Sequence, residues 1–244
     1  MGSSHGRMFS RGKNHLNVEK ILNKKIINIS KTAAGPVPEL EFLKYFYDKG
    51  NKTKEIWYII DPYIFYSEKW NEGLFFLTDE PFRFDFFSQI FFSGISTDVK
   101  YNYIKSKFSN DWIVNKASRL PDTEVKLYKT DTSAVAKRIK TEYPSGLKKE
   151  IFIKYSEELY KILEYSNNKK IKITFIIPPT LLGKVPGMNE MKIYLKDIEK
   201  KFHTKYYDYA DSLLNPEFYY NHDHLNNAGI EALTKQFLTK IIKN

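Results

Sequence analysis

The chain alternates between short runs of β-branched and aromatic residues and longer segments whose apolar positions recur at helical spacing. Runs of the first kind predict buried strands, and they cover residues 25–30, 55–60, 171–177 and 205–209. Segments of the second kind predict helices over residues 38–50, 147–162, 188–202 and 230–241. Strands that alternate with helices are typical of a parallel sheet covered on both faces, so the pattern predicts an α/β fold.

Residues 67–146 interrupt this alternation, because they contain no run that is typical of a buried strand. They do contain an aromatic-rich stretch at residues 81–92, and the segment as a whole predicts a largely helical insertion over the sheet. Phe84, Phe87 and Phe91 fall at helical spacing. That spacing favours packing in the core over lining a pocket or facing a membrane.

Composition narrows the class of protein without selecting one. The 244 residues are 42% apolar and 16% aromatic, enough for a packed core, and no clear linker divides them, so we expect a single domain over residues 1–244. The absence of cysteine excludes disulfides and thiolate metal sites. No run of about 18 apolar residues predicts a transmembrane segment. The net charge of +10 attracts polyanions, but without an arginine-rich stripe nucleic-acid binding is the least favoured hypothesis.

Two short motifs at opposite ends of the chain contain the candidate catalytic groups. Hydrolysis by a serine requires a hydroxyl, a base that takes its proton, a group that orients the base and donors for the oxyanion. Small residues in the segment GSSHG surround Ser4 and permit a tight turn that exposes a side chain. His224 lies in the segment NHDHLNNAG, just before a predicted helix with Asn226 or Asn227 as its N-cap. The sequence thus offers Ser4 as a candidate nucleophile and His224 as a candidate base.

The order and spacing of these motifs resemble those of the SGNH (GDSL-type) hydrolases. In that superfamily the nucleophilic serine lies in an N-terminal GlyAspSer or GlySerSer motif. The histidine lies in a C-terminal AspXaaXaaHis motif, often continued as HisLeuAsn with a glycine shortly afterwards. The matching residues here are Gly2, Ser3, Ser4, His224, Leu225, Asn226 and Gly229. Gly35 stands where the family places an oxyanion-hole glycine, and the segment IIDPYIF resembles relatives that modify cell-surface polysaccharides. The likeness is nearest to the alginate O-acetyltransferase and teichoic-acid D-alanylation branches and covers most of the chain outside the insertion.

The resemblance implies a flavodoxin-like three-layer α/β/α fold and a serine-dependent esterase or O-acyltransferase. It implies that Ser4 attacks an acyl carbonyl, that His224 shuttles the proton, and that backbone N–H groups of Ser4 and Gly35 hold the oxyanion. It implies an acylated carbohydrate or small ester as substrate and requires no organic cofactor. It also allows a membrane acyltransferase as partner and an extracytoplasmic or membrane-associated location, while a cytoplasmic location stays open.

Two departures from the family pattern affect the catalytic groups. Asn221 stands where the family has its acid, so either Asn221 or the adjacent Asp223 would orient His224, with Asp211 as a more distant substitute. The GlyXaaAsnAsp segment that supplies the family's oxyanion asparagine is absent. Asp61 stands near that place, and because an ionised carboxylate would repel an oxyanion, we expect a structural or substrate-binding role for it.

A third departure concerns the N-terminus. Only Met1 precedes Gly2, so we expect the family's first strand to lie upstream of residue 1 in a longer protein; otherwise Ser4 would lie on an unanchored terminus. His5 is a further candidate for substrate contact. His222 is interpreted as a bystander, and because the sequence places no third ligand beside the two C-terminal histidines, it predicts no metal site.

Together the departures favour a second hypothesis, a non-catalytic SGNH-like module that binds glycan or assembles with a membrane acyltransferase.

Overall fold

A small parallel sheet lies at the centre of the protein. The computed structural model describes residues 1–72, 82–108 and 123–243. The strands β1 (Glu55–Ile59), β2 (Lys172–Ile177) and β3 (Lys205–Asp208) form one parallel sheet in the order β1-β2-β3. The α/β fold with a parallel sheet is therefore confirmed, and all three strands were expected from their apolar runs.

Helices make up most of the rest of the described chain. They are α1 (Ser4–Met8), α2 (Asn14–Leu22), α3 (Pro36–Asp48), α4 (Glu68–Glu72), α5 (Phe84–Phe92), α6 (Thr97–Phe108), α7 (Thr132–Glu142), α8 (Lys149–Asn168), α9 (Met188–Phe202), α10 (Asn227–Leu233) and α11 (Thr239–Lys243). Short 3-10 helices cover Pro62–Phe65 and Pro216–Phe218, and a π-helical turn, Thr234–Leu238, joins α10 to α11. Of the predicted insertion, the described residues form α4 to α7, while residues 73–81 and 109–122 lie outside the described part. None of the described helices has the length and apolar character needed to cross a membrane.

Both faces of the sheet are buried under helices. Tyr58 and Phe175 point to the face covered by α3, α8 and α9, and both side chains are fully buried. Ile59 and Ile176 point to the opposite face, which α2, α10 and α11 cover. Because neighbouring residues of a strand point to opposite faces, burial of both faces requires continuous apolar runs. Each such side chain contributes roughly 1.5–3 kcal/mol by leaving water.

The strand predicted at residues 25–30 does not form, and that prediction is wrong. Side chains accept hydrogen bonds from backbone N–H groups that would otherwise pair with a neighbouring strand. The Ile26 N–H donates to Glu19 Oε1, and the Ser30 N–H donates to Asn28 Oδ1, both at 2.9 Å. A β-branched run favours extended backbone, but it becomes a strand only where a neighbouring strand supplies partners.

Residues 1–3 run alongside β1 and anchor Ser4. The Ile59 N–H donates to the Met1 carbonyl at 2.9 Å, and the Met1 amino group donates to the Trp57 carbonyl at 2.8 Å. Gly2 forms a parallel bridge with Ile59, and its φ of +133° favours glycine. Ser4 is therefore tied to the sheet, so the alternative of an unanchored terminus is wrong. A family strand upstream of residue 1 stays a prediction.

Helix α5 turns a different face to the core from the one predicted. Phe86 and Ile90 are buried, whereas Phe84 and Phe91 are 74% and 48% exposed. The expectation that Phe84, Phe87 and Phe91 pack together in the core is thus wrong for two of the three. Six of the nine positions of α5 are large and apolar, which is more than one helix face holds, so helical spacing alone does not select the buried face.

Candidate active site

The candidate site lies at the carboxyl edge of the parallel sheet, where open α/β sheets bind ligands. Ser4 begins α1, directly after the extended residues 1–3. His224 lies on the loop before α10, and the Leu181 N–H, shortly after β2, donates to the His222 carbonyl of that loop at 3.0 Å. Two ends of the chain are thereby brought to the same edge.

Ser4, His224 and Asn221 form a hydrogen-bonded row. His224 Nε2 lies 2.7 Å from Ser4 Oγ, and His224 Nδ1 lies 3.1 Å from Asn221 Oδ1. Asn221 Oδ1 also accepts the backbone N–H groups of Asp223 and His224, at 2.9 and 2.8 Å. Because an amide oxygen only accepts, we assign the ring proton to Nδ1, which leaves Nε2 to accept the serine hydroxyl.

His224 is held as a neutral base. It is 4% exposed, and this burial lowers its pKa from 6.5 to about 3. The carboxylate of Asp223 opposes the shift, whereas the positive charges of His5, Arg138 and Arg11 add to it. At neutral pH the imidazole is therefore unprotonated and able to accept a proton from a serine hydroxyl.

Asp223 supplies charge near the base but does not orient it. Its Oδ2 lies 3.7 Å from His224 Nδ1, beyond hydrogen-bond distance, while the same oxygen accepts Arg138 Nε at 3.1 Å and Nη2 at 2.8 Å. Burial would raise the pKa of the Asp223 carboxyl, but the charge and hydrogen bond of His5 and the charge of Arg138 outweigh it and hold that pKa well below the usual range. Of the two predicted orienting groups, the geometry therefore selects Asn221.

His5 lies behind the pocket wall, 4% exposed, between two carboxylates. Its Nδ1 is 3.0 Å from Asp61 Oδ1, and its Nε2 is 3.3 Å from Asp223 Oδ1 and 2.6 Å from the Asp223 carbonyl. Burial lowers the pKa of His5, but the two carboxylates outweigh burial and raise that pKa well above 6.5. The ring is therefore an imidazolium, and it stacks on His224 with a centroid distance of 4.5 Å.

A cavity of about 290 Å³ opens on the Ser4 and His224 side chains. Its other lining residues are Ser3, Met8, Arg11, Thr32, Ala33, Ala34, Tyr63, Trp70, Arg138, Glu142, Tyr220 and Asn221. Neither His5 nor Asp61 is among them, so their predicted contact with substrate is not supported. The Asp61 carboxylate instead accepts Ser3 Oγ at 2.9 Å and the Tyr63 hydroxyl at 3.1 Å, which makes it a structural group.

Gly35 does not offer its N–H to the cavity. That group donates to the Trp70 carbonyl at 2.8 Å, and a Cβ on Gly35 would lie 2.4 Å from Asn71 Oδ1. The glycine is needed for close packing, and its predicted oxyanion role is not supported. Ser4 keeps its role as a candidate donor, because it is the first residue of α1 and such N–H groups have no acceptor within their helix. Ala33, which lines the cavity with a φ of +57°, lies in the adjacent loop.

Three buried side chains meet the distance requirement for a metal site. Ligand atoms of His5, Asp223 and His224 lie within 4.8 Å of one another, although the sequence placed no third ligand beside the C-terminal histidines. The Arg138 guanidinium already donates to Asp223 Oδ2, and Ser4 Oγ is already hydrogen-bonded to His224 Nε2. A metal ligand must be deprotonated, whereas His5 is protonated. The positive charges of His5 and Arg138 therefore disfavour a metal cation at this position.

The remaining candidates lie outside the row. His222 Nε2 accepts the Asp131 N–H at 2.9 Å, at the start of α7, so it ties the histidine loop to the insertion. Asp211 is exposed and is not a hydrogen-bond partner of His224 within the described part of the chain. Arg138, which sequence reasoning missed, lies 85 positions before Asp223 in the insertion, and its polar surroundings gave no signal.

No protein-family model and no curated protein matches the chain.

Proposed function

We propose that this chain is a serine-dependent esterase or O-acyltransferase of the SGNH type. The observation that carries the proposal is the 2.7 Å contact between Ser4 Oγ and His224 Nε2 across 220 positions of sequence, in front of a cavity. A nucleophile within hydrogen-bond distance of a base, which a third group orients in turn, is the arrangement that acyl transfer requires. The parallel sheet with helices on both faces is consistent with a three-layer fold of that type.

The reaction follows from the row of hydrogen bonds. Ser4 Oγ attacks an acyl carbonyl while its proton passes to His224 Nε2, and the carbonyl becomes an oxyanion near the Ser4 N–H. The intermediate collapses, the ester C–O bond breaks, and the leaving alcohol takes the proton from Nε2. The acyl group is then bonded to Ser4. Water, activated by His224, releases it in an esterase, whereas a sugar hydroxyl takes the place of water in an O-acyltransferase.

Asn221 and Asp223 divide between them the two tasks of the usual acid. Asn221 Oδ1 holds the His224 Nδ1–H and so fixes the ring. The ionised Asp223, 3.7 Å from the same nitrogen, is the nearby negative charge that compensates the imidazolium formed during attack.

The cavity favours a small ester on a carbohydrate. Trp70, Tyr63 and Tyr220 are among the lining residues, and aromatic side chains suit a sugar ring, while the volume of about 290 Å³ lies at the lower end for small-molecule sites. We extend the proposal to acyl groups on cell-surface carbohydrate, handled outside the cytoplasm and with a membrane acyltransferase as a candidate partner.

Labelling by a fluorophosphonate and hydrolysis of p-nitrophenyl acetate test the proposal directly. We expect the wild-type chain to label and turn over, and Ser4→Ala and His224→Ala each to lose both properties. Ser10→Ala is the matched control, because Ser10 is an exposed serine near the same helix. A folded wild-type protein that neither labels nor turns over, or a Ser4→Ala variant that labels like wild type, would contradict the proposal.

A non-catalytic glycan-binding module is the second candidate. The neutral Asn221 and the engaged N–H of Gly35 favour it, because both weaken the machinery for acyl transfer. It predicts no fluorophosphonate labelling but retained binding of acylated glycans to the wild-type chain.

A further inference from the structure

His5 occupies a position that the proton path does not use, yet it contacts both the histidine loop and the segment after β1. It follows Ser4 directly in α1, bonds to the backbone and side chain of Asp223, and stacks on the His224 ring. Ser3 and Tyr63 saturate one oxygen of Asp61, which leaves the other oxygen for His5. A buried imidazole with a carboxylate near each nitrogen forms ion pairs and does more than fill space in the core.

We infer that His5 is a positioning residue, which as a buried imidazolium clamps the nucleophile helix to the histidine loop and keeps His224 unprotonated beneath its substrate cavity. This inference rests on the proposed function, since it assigns His5 a role toward the same base.

The clamp follows from which atoms His5 joins. Its Nδ1 contacts Asp61, directly after β1, and its Nε2 contacts the carbonyl of Asp223, the residue before His224. The ring thereby joins α1 to the histidine loop, since His5 and Asp223 are 218 positions apart in the sequence. With Ser4 and His224 each adjacent in sequence to a member of this clamp, the 2.7 Å contact between them is fixed at both ends.

The charge effect follows from the stacking distance. The groups that face His5 are Asp61 and Tyr63 after β1, and Asp223 and His224 of the histidine loop. Two groups of α7 stand behind Asp223: Arg138, and Glu142, whose pKa burial raises to about 7. A positive ring 4.5 Å from His224 disfavours a second positive charge there, whereas Asp223 alone would favour it.

Replacing His5 by glutamine separates these roles from mere filling of space. Glutamine keeps a donor toward one carboxylate and removes the positive charge. We therefore expect the titration midpoint of His224 in His5→Gln to move up by more than about one pH unit. The acid limb of the pH–rate profile should move by the same amount with KM unchanged.

Nitrogen-15 NMR titration of histidine rings in the full chain measures these protonation states without turnover. His5→Gln and His224→Gln assign the two rings, and His15→Gln, at a half-buried position of α2 away from the site, is the control. We expect the His5 ring to stay protonated at pH 7.5 and the His224 ring to stay neutral down to pH 5. A neutral His5 ring at pH 7.5 in the wild type, or an unmoved His224 midpoint in folded His5→Gln, would overturn the inference.

Two further results keep the test decisive. If His5→Gln does not fold, Asp61→Asn replaces it: loss of one flanking carboxylate should lower the His5 midpoint, and an unchanged midpoint would count against the clamp. If both rings titrate as expected but the chain neither labels nor turns over, the protonation states stand. In that case the proposed acyl transfer fails, and the positioning role fails with it.

Discussion

Replacing Asn221 by aspartate adds a carboxylate where the row of hydrogen bonds has a neutral amide. The added charge would lie 3.1 Å from His224 Nδ1 and would keep the two backbone N–H donors that Asn221 Oδ1 now accepts. A unit charge at that distance is worth about 5 kcal/mol at an effective dielectric constant of about 20. Asn221 is half-buried and Asp223 is a nearby like charge, so we expect about 2–3 kcal/mol to remain.

This energy corresponds to about two pH units. The pKa of His224, which burial holds at about 3, should rise accordingly and make the imidazole a stronger base that is still unprotonated at pH 7. We expect kcat/KM for p-nitrophenyl acetate at pH 7 to rise by at least about tenfold, and the acid limb of the profile to move upward. Asn215→Asp, at an exposed cap, controls for net charge. A folded Asn221→Asp protein with unchanged or lower kcat/KM and an unmoved acid limb would refute the assignment of Asn221 as orienting group.

Three more predictions concern stability and the support of the site. Gly229 lies in the helix that follows the histidine loop, and the Cβ of a Gly229→Ala variant would lie 2.1 Å from the Phe218 carbonyl oxygen. Urea unfolding should therefore show a loss of about 1–3 kcal/mol in the free energy of unfolding, together with reduced kcat. Gly94→Ala, whose Cβ would have nothing within 4 Å, should match wild type. Burial raises the pKa of Glu39 from 4.5 to about 8, so the folded state binds this proton more tightly than the unfolded state, and stability is lost as pH rises from about 4.5 through 8. In Glu39→Gln the urea midpoint should therefore decline less over this pH range. An equally steep decline in the variant would contradict Glu39 as the cause. Arg138→Gln leaves Asp223 without its guanidinium, and because Arg138 is 33% exposed and His5 remains, we expect a loss of about 1–3 kcal/mol at pH 7, with an unchanged free energy of unfolding as the opposing result.

The amino-acid sequence by itself determined the elements whose signal is local. The strands at residues 55–59 and 172–177 and the helix at residues 188–202 follow from continuous apolar runs and helical spacing, because burial of a strand or of a helix face leaves a periodic record. The motifs also singled out Ser4 and His224, which the structure places 2.7 Å apart. The run at residues 25–30 carried the same local signal and failed, because a strand also needs a partner that local sequence does not specify.

Tertiary structure alone decided how the candidate site is built. The choice of Asn221 over Asp223 depends on a difference between 3.1 and 3.7 Å, which spacing in sequence does not fix. The sequence predicted that His5 contacts substrate, whereas the fold buries it between Asp61 and Asp223, which favour its protonated form. The fold also brings Arg138 of the insertion to Asp223. Protonation states depend on burial and on charges a few ångströms away, and these arise only when distant segments fold against one another.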